Sequence, residues 1–310
     1  MLRIAVPDLV SNSYFPIIAA VEMGFFKEEG FDAKVDLLFP IPKTFEALRD
    51  GALDFVVGSA HATLLAFPEW QGAKLLAACG QHTYWFLVIR SDLKPQRGDL
   101  TIVKGLRIGA APGVNLSLQR MLVEAGIDPD KNNVQIMPIP GAAGPNVSFG
   151  LSAAKALEDG TLDGFWANGM GCEVAVRRGV GTMVLDVRRG DGPTAARDYT
   201  FSALVATDKT IKDTPAAGRA AVRALMKAHK TLKQDPERAT AVGQKRFPAS
   251  EAALIAELVR RDLPFYDPTI PEEKVASMNR FAQDIGLLKA PATYDQVVAG
   301  QYRSLWNEAV

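Results

Sequence analysis

The chain has 310 residues, 48% of them hydrophobic and 23% charged, enough to bury the cores of about two domains and incompatible with a disordered or collagen-like class. Lys plus Arg and Asp plus Glu both total 35, so there is no net positive field to attract nucleic acid or an anionic membrane. No apolar run reaches the roughly 18 residues that span a bilayer, and Cys79 and Cys172 alone cannot form a disulfide framework or a four-cysteine zinc site.

In chain order, strand-like runs at 2–6, 34–38 and 55–57 alternate with helical patterns at 16–28 and 43–49, a β-α-β-α-β opening that builds a mainly parallel sheet. Gly24-Phe25-Phe26-Lys27-Glu28-Glu29-Gly30 reads as a helix end, with the phenylalanines covering the sheet and Gly30 in a left-handed turn. Tyr84–Arg90 is a near-continuous apolar strand. The same order then returns: strand 106–110, helix 116–124, strand 134–138, helix 152–157 and strand 164–167. A second apolar run, 199–206, leads into helices at 216–233, 236–246, 251–261, 271–285 and 294–309.

The return is visible residue by residue. Ala47-Leu48-Arg49-Asp50-Gly51-Ala52-Leu53-Asp54 reappears as Ala156-Leu157-Glu158-Asp159-Gly160-Thr161-Leu162-Asp163, and Leu2-Arg3-Ile4-Ala5-Val6 as Leu106-Arg107-Ile108-Gly109-Ala110. That period is too long for a solenoid, whose unit is roughly 20 to 50 residues. It predicts two α/β lobes of similar construction, residues 1–88 plus 201–310 and residues 89–200, joined by crossing strands at 84–90 and 199–206, with a cleft between them. Gly51 and Gly160 stop helices, and Leu53 and Leu162 begin strands.

Several chemistries find no support. There is no phosphate loop ending in Lys-Ser or Lys-Thr and no His-Glu-x-x-His helix. Gly150-Leu151-Ser152-Ala153-Ala154 is one glycine short of a nucleophile elbow and is expected to open a helix. His229, between Lys227 and Lys230, reads as part of a solvated helix face, and Arg188-Arg189, near the return crossing, as a solvated charge pair, with pairing to an anionic ligand as the alternative. Asn115 and Asn146 head glycosylation sequons too short to be informative. Both cysteines read as buried packing. No catalytic residue, metal site or cofactor is assigned.

Open α/β sheets bind ligands beyond the carboxyl ends of their strands, where helix N-termini present backbone N–H groups. In the first lobe those places hold Asp8, Ser11, Asn12, Ser13 and Tyr14, then Ser59, Ala60 and His61; in the second they hold Gly113, Val114, Asn115 and Ser117, then Trp166 and Asn168. His82, Thr83 and Trp85 lie at the first crossing. For Ser11, Asn12, Ser13, Asn115 and Ser117 helix capping and ligand contact are both open, and a cap at a cleft can do both. Trp85 and Trp166 are core residues or the wall of an apolar or aromatic ligand. Gly113, a glycine-flanked helix start, is the better anion site.

Gly24–Gly30, Glu46–Asp54 and Gly105-Leu106-Arg107-Ile108-Gly109 together resemble the solute-binding proteins of sulfonate, taurine and nitrate ABC importers, a family that includes binders of the thiamine pyrimidine precursor (NMT1/THI5-like). The resemblance runs over about residues 1 to 250. It implies a two-lobed periplasmic-binding-protein fold of type II closing on a small molecule by hinge motion. It also implies an extracytoplasmic, periplasmic location with the leader removed, an ABC permease as partner, and a monomer. By position, the family's ligand loops fall on Ser11 to Tyr14, Ser59 to His61, His82 to Trp85, Gly113 to Ser117 and Trp166 to Asn168. Sulfonate binders typically carry Gly-Ser with further hydroxyls where Gly113-Val114-Asn115-Leu116-Ser117 stands here, and two histidines with several aromatics fit a carboxylate, including an aromatic one, at least as well. The competing functions are an enzyme on the same fold, pyrimidine-synthase-like or decarboxylase-like with a cleft histidine such as His61 as base, and the sensing module of a regulator.

Overall fold

The computed structural model describes residues 1–142 and 147–308; Asn146 and Ala309 lie outside the described residues. The chain divides into two compact units, Met1–His82 with Thr200–Val310, and Thr83–Tyr199.

In the first unit β1 (Leu2–Val6), α1 (Phe15–Glu22), α2 (Phe25–Glu28), β2 (Ala33–Leu37), α3 (Ile41–Arg49), β3 (Phe55–Ser59) and β4 (Ala73–Gly80) follow in order. In the second unit come β5 (Phe86–Arg90), β6 (Arg107–Ala110), α4 (Asn115–Glu124), β7 (Gln135–Met137), α5 (Phe149–Glu158), β8 (Gly164–Ala167), α6 (Gly169–Arg177) and β9 (Gly181–Asp186). The chain re-enters the first unit with β10 (Ser202–Thr207), then α7 (Asp208–Asp213), α8 (Pro215–Gln234), α9 (Arg238–Arg246), α10 (Ala249–Ala252), α11 (Ile255–Asp262), α12 (Glu272–Asp284) and α13 (Tyr294–Val297).

The two sheets have the same plan, in orders β2-β1-β3-β10-β4 and β7-β6-β8-β5-β9. In each, three strands pair in parallel, and one strand runs antiparallel between its two neighbours. Four strands of five therefore share a direction, the mainly parallel α/β architecture that the alternating pattern predicts. The opposing strand is in each case the first one after the chain has passed from the other unit: β5 in the second, β10 in the first. The sequence placed the passages at 88/89 and 200/201, whereas the units divide at 82/83 and 199/200. β5 pairs along its whole length with β9 and over Phe86–Ile89 with β8, so it belongs wholly to the second unit.

Both sheets are buried by apolar side chains from flanking helices. Ile4, Ala5, Val6, Phe55, Val56 and Val57 form a fully buried stripe, and Phe15, Ile17 and Ile18 of α1 are equally buried. Each buried Ile, Val or Phe side chain among them contributes roughly 1.5–3 kcal/mol. The helix expected over 16–28 is broken at Gly24, whose φ of 83° no helix accommodates; Phe25 and Phe26 are buried, and Gly30 takes the left-handed turn at φ 84°.

The strands β4 and β9 stand outside the expected elements. Ala-Lys-Leu-Leu-Ala-Ala-Cys-Gly carries no β-branched residue and no alternation, so no local signal marks it as strand; its place beside β10 does. Its outer edge is covered, because the Ala78 and Gln81 N–H groups donate to Pro268 and Phe265 carbonyls and the Leu75 and Leu76 carbonyls accept from Ala299 N and Trp306 Nε1. That cover explains another difference. The last expected helix is instead α13 followed by a ladder contact between Val298 and Leu75 and by 3₁₀ turns over 300–307, since Val298 and Ala299 must extend to serve the edge. The helix expected over 251–261 is likewise two, α10 and α11.

The repeated segment has one structural role in both units. The Arg3 backbone N and Nε donate to Asp54 Oδ2 at 2.7 and 3.3 Å, and Nη2 donates to the Gly51 carbonyl at 3.0 Å. In the second unit Arg107 repeats each bond, with N and Nε on Asp163 Oδ2 at 3.0 and 2.9 Å and Nη2 on the Gly160 carbonyl at 2.9 Å. The Asp clamps the helix-to-strand turn to the first strand of its sheet. Gly51 and Gly160 provide the positive φ, 75° and 71°, on which that turn depends.

Candidate functional site

Because β1, β3 and β4 share a direction and β10 opposes them, the ends of the first three and the start of the fourth meet at one edge of the first sheet. That edge carries Asp8 to Tyr14, Ser59 to His61, Gln81 with His82, and Thr200. The second sheet gathers the corresponding loops in the same way, after β6, β8 and β9 and before β5. They are Ala111 to Ser117, Asn168, Val187 with Arg188, and Thr83 to Trp85. Fifteen of the sixteen expected ligand contacts thus sit at the carboxyl-end edge of one sheet or the other, and the sixteenth, Trp166, is the penultimate residue of β8.

In the first unit the loop after β1 is folded by its own side chains. Asp8 Oδ1 accepts the Val10 N–H at 3.0 Å and Ser11 Oγ accepts the Ser13 N–H at 3.2 Å. Ser11, Asn12, Ser13 and Tyr14 are all buried, yet none of them caps α1 through its side chain. Capping alone therefore does not account for them. Asn12 Nδ2 donates to Asp262 Oδ2 at 2.5 Å, tying the loop to the end of α11. Next to it, the Ala60 N–H donates to the Phe201 carbonyl at 2.8 Å and the His61 N–H to Thr200 Oγ1 at 3.4 Å, so the returning chain holds the loop that follows β3. Ser59 and His61 are buried, and the imidazole meets the Phe281 ring edge-on at 5.2 Å. His82 has φ 64°, a strained backbone for a non-glycine residue. Its Nδ1 lies 2.9 Å from Lys274 Nζ, which has only protons to offer, so the ring accepts there and carries its own proton on Nε2.

The second unit's edge is more aromatic. Trp85 and Trp166 stand 6.2 Å apart at 58°, with Tyr84 5.1 Å from Trp85. Trp166 Nε1 donates to Ser117 Oγ at 2.9 Å, and that hydroxyl donates to the Val114 carbonyl at 2.7 Å, a closed relay that fixes the indole. Gly113, at φ 88°, donates its N–H to Asn115 Oδ1 at 3.0 Å. Asn168 Oδ1 caps α6 by accepting from the Met170 and Gly171 N–H groups at 3.1 and 3.2 Å. Asn168, expected only as a ligand contact, is thus a helix cap, while Ser117 positions a tryptophan rather than capping α4. Gly150 and Gly171 let α5 and α6 touch, since a Cβ on Gly171 would lie 2.6 Å from the Gly150 carbonyl oxygen. The near-elbow is a packing contact. Thr83 is fully buried and Val114 nearly so.

Two expectations are corrected. Arg188 is buried rather than solvated: it lies over the Phe86 ring at 5.1 Å, with Nε 3.6 Å from the equally buried Asp186. The counter-ion ends β9 only two residues earlier, but the Phe86 ring comes from β5, where no local pattern around Arg188-Arg189 announces it. His229 is buried too, stacked on Tyr266 at 5.2 Å with Nε2 2.8 Å from the Cys79 carbonyl, and burial pulls its pKa down to about 4. Lys227 does face solvent partners, Glu28 and Glu29, one helical step away. Asp262, Lys274 and Thr200 were not singled out in the sequence, because they reach this edge from far along the chain. Both cysteines are buried, and burial drives the Cys79 thiol up to about 12, where it is a poor nucleophile. Among the described residues no group of three or more His, Cys, Asp or Glu is placed to hold a metal ion, and no helix is long and apolar enough to cross a membrane.

Paired five-stranded sheets of this order define the fold of the periplasmic binding proteins, and solved structures bear this out. The nitrate-binding protein NrtA from Synechocystis PCC 6803 superposes with a TM-score of 0.74 at 16% identity, covering 100% of this chain and 88% of its own. A putative sulfonate-binding SsuA from Methylobacillus flagellatus KT gives 0.66 at 17% identity, covering 98% and 93%. The desulfurization enzyme DSZB gives 0.64 at 14% identity, covering 99% of each chain. At these identities the likeness is one of fold. Among curated proteins none matches the sequence. The family model described as NMT1/THI5 like matches residues 11–239, and the chain belongs to that family.

Proposed function

We propose that this protein is the solute-binding protein of an ABC importer, working outside the cytoplasm with a membrane permease as its partner, and that its ligand is a small organic anion, a carboxylate or sulfonate, aromatic ones included. The observation that carries the reading is the pair of matching sheet edges. Each collects buried polar side chains and a buried cation, Lys274 beside His82 in one unit and, in the other, Arg188 with Asp186 as its counter-ion. A buried cation favours an anionic partner, because charge-assisted hydrogen bonds are strongest away from water. Trp85 and Trp166 offer π faces for an aromatic or apolar portion. The binding proteins among the structural neighbours support the importer role.

An enzyme on the same fold is the second reading, kept by the likeness to DSZB and by His61 at the first edge. The experiment that separates the two is mass spectrometry of whatever small molecule is released when purified protein is denatured, followed by incubation of that compound with fresh protein. A receptor returns it unchanged; conversion to a product would replace the receptor with the enzyme.

A further inference from the structure

The Asn12 side chain is 1% exposed and its two polar ends are in different situations. Nδ2 donates to Asp262 Oδ2, whereas Oδ1 is buried with no hydrogen-bond partner among the described residues. The orientation is set by chemistry. A carboxylate only accepts, so the amide must turn its NH2 toward Asp262 and present its carbonyl oxygen the other way. A buried acceptor left unpaired costs on the order of 1–3 kcal/mol, and such groups in native proteins are satisfied by water or by a ligand. Asn12 follows β1 at the edge where ligands of this architecture sit. The adjacent Ser13 Oγ is also buried without a partner, but a hydroxyl takes either role and selects nothing.

We propose that Asn12 reads a hydrogen-bond donor on the ligand, an amine, amide or hydroxyl group carried in addition to its acid group, and that Asp262 is the positioning residue that gives the Asn12 amide this polarity. The inference rests on the ligand-binding reading above. It narrows the ligand to small acids with a second, donor-bearing group. It also assigns to the end of α11, some 250 residues along the chain from Asn12, a part in selectivity.

The test is competitive equilibrium dialysis of the whole protein against matched pairs of small acids, quantified by mass spectrometry. The pairs are beta-alanine with butyrate, para-aminobenzoate with para-methylbenzoate, and meta-aminobenzenesulfonate with meta-methylbenzenesulfonate. The wild-type protein is expected to retain the amino member of the bound pair about tenfold better, the factor that one hydrogen bond of ~1.4 kcal/mol provides. Asp262→Asn, which frees the Asn12 amide to turn over, is expected to bring the ratio to about one while the methyl member is held as before. Asn12→Ser should also remove the preference, which keeps the proposal testable if the Asp262 variant does not fold. Equal retention of both members by the wild type, or an unchanged ratio in either folded variant, overturns the proposal and leaves the receptor standing. If no acid of any pair is retained, the reading as a receptor for small organic acids falls, and this proposal with it.

Discussion

The two units carry the same clamp, and they do not carry it equally. In the first, Arg3 meets Asp54 with no second arginine among the described residues, and the aspartate side chain is 27% exposed. In the second, Asp163 is 13% exposed and takes Arg107 and also Arg90, whose Nη1 lies 3.4 Å away. The Arg107 guanidinium, with help from Arg90, holds the Asp163 carboxyl down at about 2. Arg90 ends β5, the strand that opens the second unit, so there the clamp also pins the entering strand. In the first unit the corresponding strand, β10, ends in Thr207, and α7 follows directly. A sequence repeat thus marks a shared turn, and what surrounds the turn decides how much depends on it.

The largest effect should come where the echo of β1 in β6 changes residue. Ala5 in β1 corresponds to Gly109 in β6, and a Cβ on Gly109 would lie 2.5 Å from Leu162 Cδ1 and 2.7 Å from Ile139 Cγ1. Gly109→Val should cost about 3 kcal/mol by overpacking the second unit, read as a lower urea midpoint, and hydrogen exchange should place the loss in residues 83–199. Equal loss of protection in both units would show that the two do not unfold separately.

Acid should distinguish the units by the order in which they loosen. His229 in the first unit has its folded pKa lowered to about 4 from 6.5, so the unfolded chain binds the extra proton first and stability falls as pH drops from about 6.5 to 4, by up to roughly 3 kcal/mol. Asp163 in the second unit is lowered from 3.8 to about 2, so its contribution is complete above 3.8 and is lost only between those values. Hydrogen exchange across this range should show the first unit losing protection ahead of the second, and His229→Gln should flatten the upper part of the decline.

A smaller difference is expected between the clamps themselves. Asp163→Ala should cost about 2 kcal/mol and Asp54→Ala about 1 kcal/mol, since the first leaves two guanidinium groups without their shared partner and the second leaves one more exposed group. Equal costs, measured by chemical denaturation, would remove the special role of Arg90.

The repeat carried much of this fold in plain view. The parallel trios β1 to β3 and β6 to β8 follow from the β-α-β-α-β alternation, and His61 and Trp166 lie just downstream of the repeated Leu-Asp. What stayed hidden depends on residues far along the chain. β4 is a strand because β10 and the 298–306 segment lie on either side of it, not because of its alanines and leucines. Arg188 becomes a buried cation through Phe86, about a hundred positions earlier, and Asn12 acquires a fixed amide only when α11 delivers Asp262. Side chains that such distant partners orient leave no local period or spacing to read.

The measurement that bears most directly on the central claim is the affinity of the compound released from purified protein for two variants, His61→Ala at the first edge and Asn115→Ala at the second. Both should bind it at least about tenfold more weakly than the wild type, the loss of ~1.4 kcal/mol that one good contact represents. Unchanged affinity in both, with folding intact, would contradict the assignment of the ligand to these edges.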